Sequence, residues 1–150
     1  MNEFGDNIEV RFVEGLERES ALALEEEIFL ANSYPYDYHK WDPYSRVFAA
    51  YDGSRLVGVI RTIPQSPLEP PVLIHCELWD LAKWREMAGE FEELATQAVL
   101  PEYEHRFVGM RLIRAAYTDG RVRGVTAMAA TTAPAPAEQL NTAYSFARPQ

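Results

Sequence analysis

The sequence predicts an α/β fold: a mixed sheet covered by helices, in one domain of 150 residues. Three observations carry this. Residues 46–51 (RVFAAY) and 55–63 (RLVGVIRTI) are strand-like runs separated by Asp52-Gly53-Ser54, a strong hairpin signal that makes antiparallel neighbours. The second half ends in the order strand, helix, strand, helix, which implies a parallel pair with a right-handed crossover. A chain of this length buries roughly 68–70% of its unfolded surface, enough for one core.

The elements follow in order. Residues 8–13 (IEVRFV) alternate apolar and polar, as a half-buried strand does. Residues 16–31 space Leu16, Ser20/Ala21, Leu24, Ile28 and Leu30/Ala31 as one helix face, with Glu25, Glu26 and Glu27 expected on the solvated side. Residues 32–44 break the pattern with two prolines and crowd in four tyrosines and a tryptophan. They read as a loop or short helices, an aromatic cluster closing the core or a substrate lid. Strands at 46–51 and 55–63 are followed by a proline-rich connector, residues 64–71. Residues 72–87 combine a strand-like VLIHCEL with a helical WDLAKWREM. Residues 91–99 (FEELATQAV) suit a strand or a helix on pattern alone. Residues 107–117 (FVGMRLIRAAY) have helical spacing at Val108, Leu112, Ala115 and Ala116, with Thr118-Asp119-Gly120 as the expected stop. Residues 122–131 read as a small-residue strand. Pro134 or Pro136 opens a last helix, since proline is tolerated in a first turn.

Composition narrows the function classes. A net charge of −9 argues against non-specific nucleic-acid binding. The charge is uneven: residues 1–50 hold 4 basic and 11 acidic side chains, residues 101–150 hold 6 and 4. A locally positive end on an acidic protein suits a phosphorylated ligand. No apolar run reaches the roughly 18 residues of a membrane span, and the first residues lack a signal-peptide layout. A cytoplasmic location, with no membrane partner, is the default expectation. Cys76 is the only cysteine, which excludes an internal disulfide and reads as a small buried hydrophobe. His39, His75 and His105 with Cys76 fit no metal-ligand spacing, so no metal is expected.

The chemistry concentrates in residues 98–116, AVLPEYEHRFVGMRLIRAA. A strand runs through a short turn into a helix with Gly109 in its first turn. The first amides of a helix lack internal partners and lie at the positive end of its dipole, so they bind phosphate. A glycine there lets phosphate approach the main chain. Arg106 and Arg111 flank the turn and supply charge-assisted hydrogen bonds.

With its continuation to Thr131, this stretch resembles the core of the GNAT superfamily of acyltransferases. Val99, Pro101, Tyr103, Gly109, Leu112, Ala115, Gly124 and Val125 stand at family positions. RLVGVIRTIP resembles the family's second and third strands. The likeness is greatest to the branch that makes N-acyl amino acids and acyl-homoserine lactones. It extends over roughly residues 8–147 and is specific at 46–63 and 92–131. It implies a mostly antiparallel sheet with a splayed parallel strand pair. It also implies a shortened C-terminus, since the family adds two strands after the last helix. Acetyl-CoA or a longer acyl-CoA is the implied co-substrate, bound by Ala98, Val99, Leu100, Arg106, Phe107, Val108, Gly109, Met110 and Arg111. Two positions depart from the pattern: Glu104 replaces an arginine or glutamine, and Phe107 replaces the loop's first glycine. Arg106 is the expected replacement clamp.

The resemblance also implies a mechanism in which the acceptor amine attacks the thioester directly. A backbone amide near Gln97 to Val99 would meet the carbonyl oxygen. A glutamate on that strand would act as base, Glu93 first and Glu92 as alternative, because strand alternation lets only one face the pocket. Tyr144 would protonate the leaving thiolate. The expected activity is N-acylation of a small-molecule amine such as an amino acid, with an acyl carrier protein as the alternative donor and a homodimer as the expected assembly. A second expectation, from a different class, is a catalytically inactive module on the same scaffold, partnering a biosynthetic enzyme.

Overall fold

The computed structural model describes residues 6–71, 86 and 91–130. Five strands form one sheet in the order β1-β2-β3-β4-β5: β1 Ile8–Phe12, β2 Arg46–Asp52, β3 Arg55–Pro64, β4 Phe91–Val99 and β5 Ala127–Ala130. The first three junctions are antiparallel, and β4 and β5 run parallel, with Phe91 opposite Ala127 and Leu94 opposite Ala130. The mixed, mostly antiparallel sheet is as expected. Gly53, at φ 60°, turns the β2–β3 hairpin in the left-handed region where a glycine carries no steric penalty. Residues 91–99, open between strand and helix on pattern, form a strand. The expected splay concerns residues beyond Ala130 and lies outside the described residues. So do Tyr144, His75, Cys76, the elements expected within 72–87, the last helix and the C-terminal shortening.

Helix α1 (Gly15–Ala31) covers one face of the sheet and α2 (Val108–Val122) the other. On the α1 face, Val13, Ala21, Val47, Ala49, Val59 and Ala98 pack together. On the α2 face, Ile8, Phe48, Val57 and Ile60 meet Val108, Leu112 and Ala116. Burying a leucine such as Leu112 contributes about 2 kcal/mol. Gly58 lets α2 approach β3 closely: a Cβ there would lie 3.1 Å from both Leu112 and Val108 side-chain carbons. Of the aromatic segment, His39–Tyr44 forms a short 3-10 helix that seats Trp41 fully buried against Ile63 and Ala95. Phe29, Tyr34, Tyr36 and Tyr38 meet edge-to-face around it. No helix of the described residues is long and apolar enough to cross a membrane.

Two expectations about elements are corrected. Helix α2 does not stop at residues 118–120 but runs to Val122, and β5 starts at Ala127 rather than at residue 122. Asp119 does not terminate the helix, because its carboxylate accepts hydrogen bonds from Arg46 and Arg123. Gly120 is an inward-facing helical residue that makes room for Met128, 2.5 Å from where its Cβ would lie. The stop is Gly124, at φ 89°. The Val125 amide bonds the Gly120 carbonyl at 2.8 Å and the Gly124 amide that of Arg121 at 3.1 Å, a Schellman ending.

The α1 face is corrected too. Glu25 is not solvated but fully buried, whereas Leu16 and Leu30 are exposed. Glu25 follows Ala21 by four residues, so it falls on the same inward stripe. Its charge is kept there by Arg61, equally buried, on β3.

Candidate active site

The turn between β4 and α2 is held from below. The Leu100 amide bonds the Val57 carbonyl at 2.9 Å, and the Tyr103 hydroxyl donates to Asp52 at 2.6 Å. Helix α2 therefore starts at a fixed point beside the end of β4. Its N-cap is Phe107, with φ 59° and no side-chain hydrogen bond to the helix. The amides of Val108, Gly109 and Met110 are the first of the helix and have no intrahelical acceptor. Gly109 faces the end of β4, and a Cβ there would lie 2.1 Å from the Gln97 side-chain nitrogen. Phe107 is 57% exposed. A left-handed φ is strained for a bulky residue; this is the position where the resemblance expects glycine.

The cationic side chains divide. Arg106 is exposed, stacked on the Tyr103 ring at 4.8 Å, beside the amides. The Arg111 guanidinium reaches the other way, to Asp6 at 2.8 Å and to the Ile8 carbonyl. Glu104 is exposed.

Backbone direction along β4 follows from the ladder. The amide of Leu100 points to β3, so those of Val99 and Gln97 point to the β5 side. The described part of β5 pairs only with Phe91 to Leu94. A register irregularity opposite Arg61 and Thr62 inserts Ala95 as an extra residue, so Ala95 and Thr96 both face α1.

The two glutamates of β4 part as strand alternation requires. Glu92 faces α2 and is locked, accepting from Thr62 at 2.6 Å and from Arg123 at 2.6 Å. Glu93 faces α1 and is 1% exposed. Burial first, and then the negative charge of Glu93, push the Tyr38 phenol up. Glu93 therefore shares its surroundings with Tyr38 and the aromatic segment.

Behind them lies a group of side chains that sequence reasoning missed. Arg61 donates hydrogen bonds to Glu25 through Nη2 at 2.7 Å and Nε at 3.3 Å and to the Tyr38 carbonyl at 3.0 Å, and forms an ion pair with Asp42 at 2.7 Å. The Tyr36 hydroxyl donates to Glu25 at 2.5 Å, and the Thr96 hydroxyl also donates to Glu25. Burial alone would lower the Arg61 pKa, but the charge and hydrogen bonds of Glu25 turn the shift upward. Burial and Glu25 push the Tyr36 phenol up as well, so it stays a donor. Removing one partner of such a buried pair costs about 3–5 kcal/mol. The available signal was a charged residue inside the otherwise apolar run of β3.

Comparison with known proteins agrees with the fold. The solved structure of FeeM, an N-acyl amino acid synthase from uncultured soil microbes, superposes with a TM-score of 0.75 at 20% identity, over 92% of this chain and 76% of that one. The aminoglycoside N-acetyltransferase AAC(6')-Iy, solved with CoA, gives 0.59 at 18% identity, over 92% and 89%. The PaiA N-acetyltransferase from Thermoplasma acidophilum, solved with coenzyme A, gives 0.60 at 16% identity, over 92% and 87%. At these identities the likeness shows the fold alone. No curated protein matches the sequence. The sequence model of the acetyltransferase (GNAT) family matches residues 16–141, most of the chain. The chain therefore belongs to the acetyltransferase (GNAT) family.

Proposed function

We propose that this protein transfers an acyl group from an acyl-CoA thioester to the amine of a small-molecule acceptor. The observation that carries this is the start of α2. The amides of Val108, Gly109 and Met110 emerge beside the end of β4, with no side-chain cap from Phe107 and with Arg106 exposed alongside. A diphosphate held there is neutralised by the helix dipole and by Arg106. The pantetheine arm then runs along Ala98 to Leu100. That brings the thioester carbonyl to the β5-side amides of Val99 and Gln97, which meet the oxygen as charge develops on it.

The acceptor nitrogen attacks the thioester carbon. The carbon–nitrogen bond forms, the carbon–sulfur bond breaks, and the electron pair leaves on sulfur. Before the attack Glu93 takes one proton from the acceptor's ammonium, directly or through water, which frees the nitrogen lone pair. Glu92, held by Thr62 and Arg123, is the poorer choice of base. Tyr144, outside the described residues, gives a proton to the thiolate and regains the one that the nitrogen sheds as the amide forms. An acyl carrier protein presents the same thioester on the same arm, and Arg106 and Arg114 suit its acidity.

A second reading, an inactive module on this scaffold, is favoured by Phe107, whose ring stands at the edge of the diphosphate site. One experiment separates the two. Acetyl-CoA and longer acyl-CoAs are incubated with a panel of amino acids, polyamines and aminoglycosides, and free thiol is measured. Amine-dependent release that a Glu93→Gln variant lowers by about 100-fold or more supports the transferase. Release at the uncatalysed rate for every pair supports the module.

A further inference from the structure

We infer that Arg61, Glu25 and Thr96 are positioning residues that set where the Val99 and Gln97 amides stand; this rests on the transferase reading above. The argument begins at the bulge in β4. An extra residue opposite one on β3 loosens the register that the ladder would otherwise impose. The strand segment after Ala95 is the one whose outward amides face the thioester. The ladder resumes with Arg61 opposite Thr96 and runs to Gly58 opposite Val99, so the one-residue offset is set at that junction, where Thr96 stands.

Thr96 is the first residue past the extra one, and its hydroxyl donates to Glu25 on α1. Glu25 cannot drift, because Arg61 holds both its oxygens and Tyr36 donates to one of them. Arg61 is in turn held by Asp42, the Tyr38 carbonyl and Ser45. One guanidinium thus ties α1, β3 and the aromatic segment together, and Thr96 ties β4 to them. All three clamp residues are at most 5% exposed. A well-packed apolar set would serve stability as well as a buried ion pair does. What hydrogen bonds add is a defined position, at the residue where the ladder shifts its register. Glu93, on the same face, lies before the shift and pairs separately, opposite Ile63.

The test uses the full chain. Thr96→Val removes the hydroxyl at nearly constant shape, and Thr96→Ser returns it. Backbone ¹⁵N relaxation is measured at Gln97 and Val99, and kcat and KM with whichever acyl-CoA and amine the wild-type protein uses. The clamp predicts that Thr96→Val lowers the order parameters of these two amides from about 0.85 toward 0.6. It predicts a kcat fall of about tenfold with the thioester KM unchanged and a Tm lower by only a few degrees, the loss of one buried hydrogen bond, and Thr96→Ser restores all of these. Unaltered amides in Thr96→Val overturn the inference. So does a uniform loss across the sheet with a matching drop in Tm, which would mark Thr96 as merely structural. If the wild type acylates no amine, the transferase reading fails, and the relaxation data alone then decide whether the clamp exists.

Discussion

Phe107 and Glu25 are the two residues whose environments contradict their chemistry most, and both lie by the candidate site. Phe107 holds a left-handed φ of 59°, which costs a non-glycine residue about 1–2 kcal/mol. Strain of this kind persists where surrounding structure imposes it, and it gathers at functional sites. Phe107→Gly should relieve the strain, while glycine's greater unfolded-state freedom offsets about 0.5–1 kcal/mol of the gain. The expected result is a Tm within about 2 °C of wild type, by scanning calorimetry, and an acyl-CoA Kd about tenfold tighter because the ring no longer borders the diphosphate. A weaker Kd would show that the ring assists binding. Glu25 was illegible for a different reason. In a run of three glutamates nothing local marks the buried one, and its partner Arg61 lies 36 residues away.

Among the elements, the ends of α2 differ in how they are secured. Its start gets no hydrogen bond from the side chain of its N-cap, Phe107, whereas its end is stapled: Asp119 joins Arg46 of β2 to Arg123, which also holds Glu92 of β4. Desolvation pushes the Asp119 carboxyl up, but the hydrogen bonds from Arg46 and Arg123 outweigh it and hold it below the ordinary 3.8. A depressed carboxyl stabilises the fold fully above its unfolded pKa and loses that contribution as pH falls through the lower, folded value. Asp119→Asn should therefore lower Tm at pH 7 by about 2–4 °C, the shift that roughly 1 kcal/mol produces in a chain of this size. The gap between wild type and variant should close as pH drops below 3.8. A gap that stays constant down to acid pH would contradict the staple. The helix spacing at Val108, Leu112 and Ala116 was legible, because one-in-four apolar residues leave little choice of face. Its stop was not, because two glycines compete. Only the backbone shows that Gly120 packs while Gly124 turns.

At the scale of the whole molecule, the sequence conveyed the architecture through local signals. They were the Asp52-Gly53 hairpin, strand alternation and the closing strand–helix–strand. What it did not convey is long-range. The bulge in β4, and which of Glu92 and Glu93 faces α1, depend on register, which no window of β4 contains. The central claim is that a helix start beside the end of a strand forms a diphosphate site. It is tested most directly by titrating acetyl-CoA into wild-type protein and into Gly109→Glu by calorimetry. The exposed Gln97 side chain gives way to the new residue, whose carboxylate then faces the diphosphate. The account predicts micromolar binding to wild type and a loss of at least about 100-fold in the variant at unchanged Tm, as expected when an added like charge replaces dipole stabilisation. Absence of binding to wild type up to millimolar acetyl-CoA, or equal affinity in the two proteins, would contradict it.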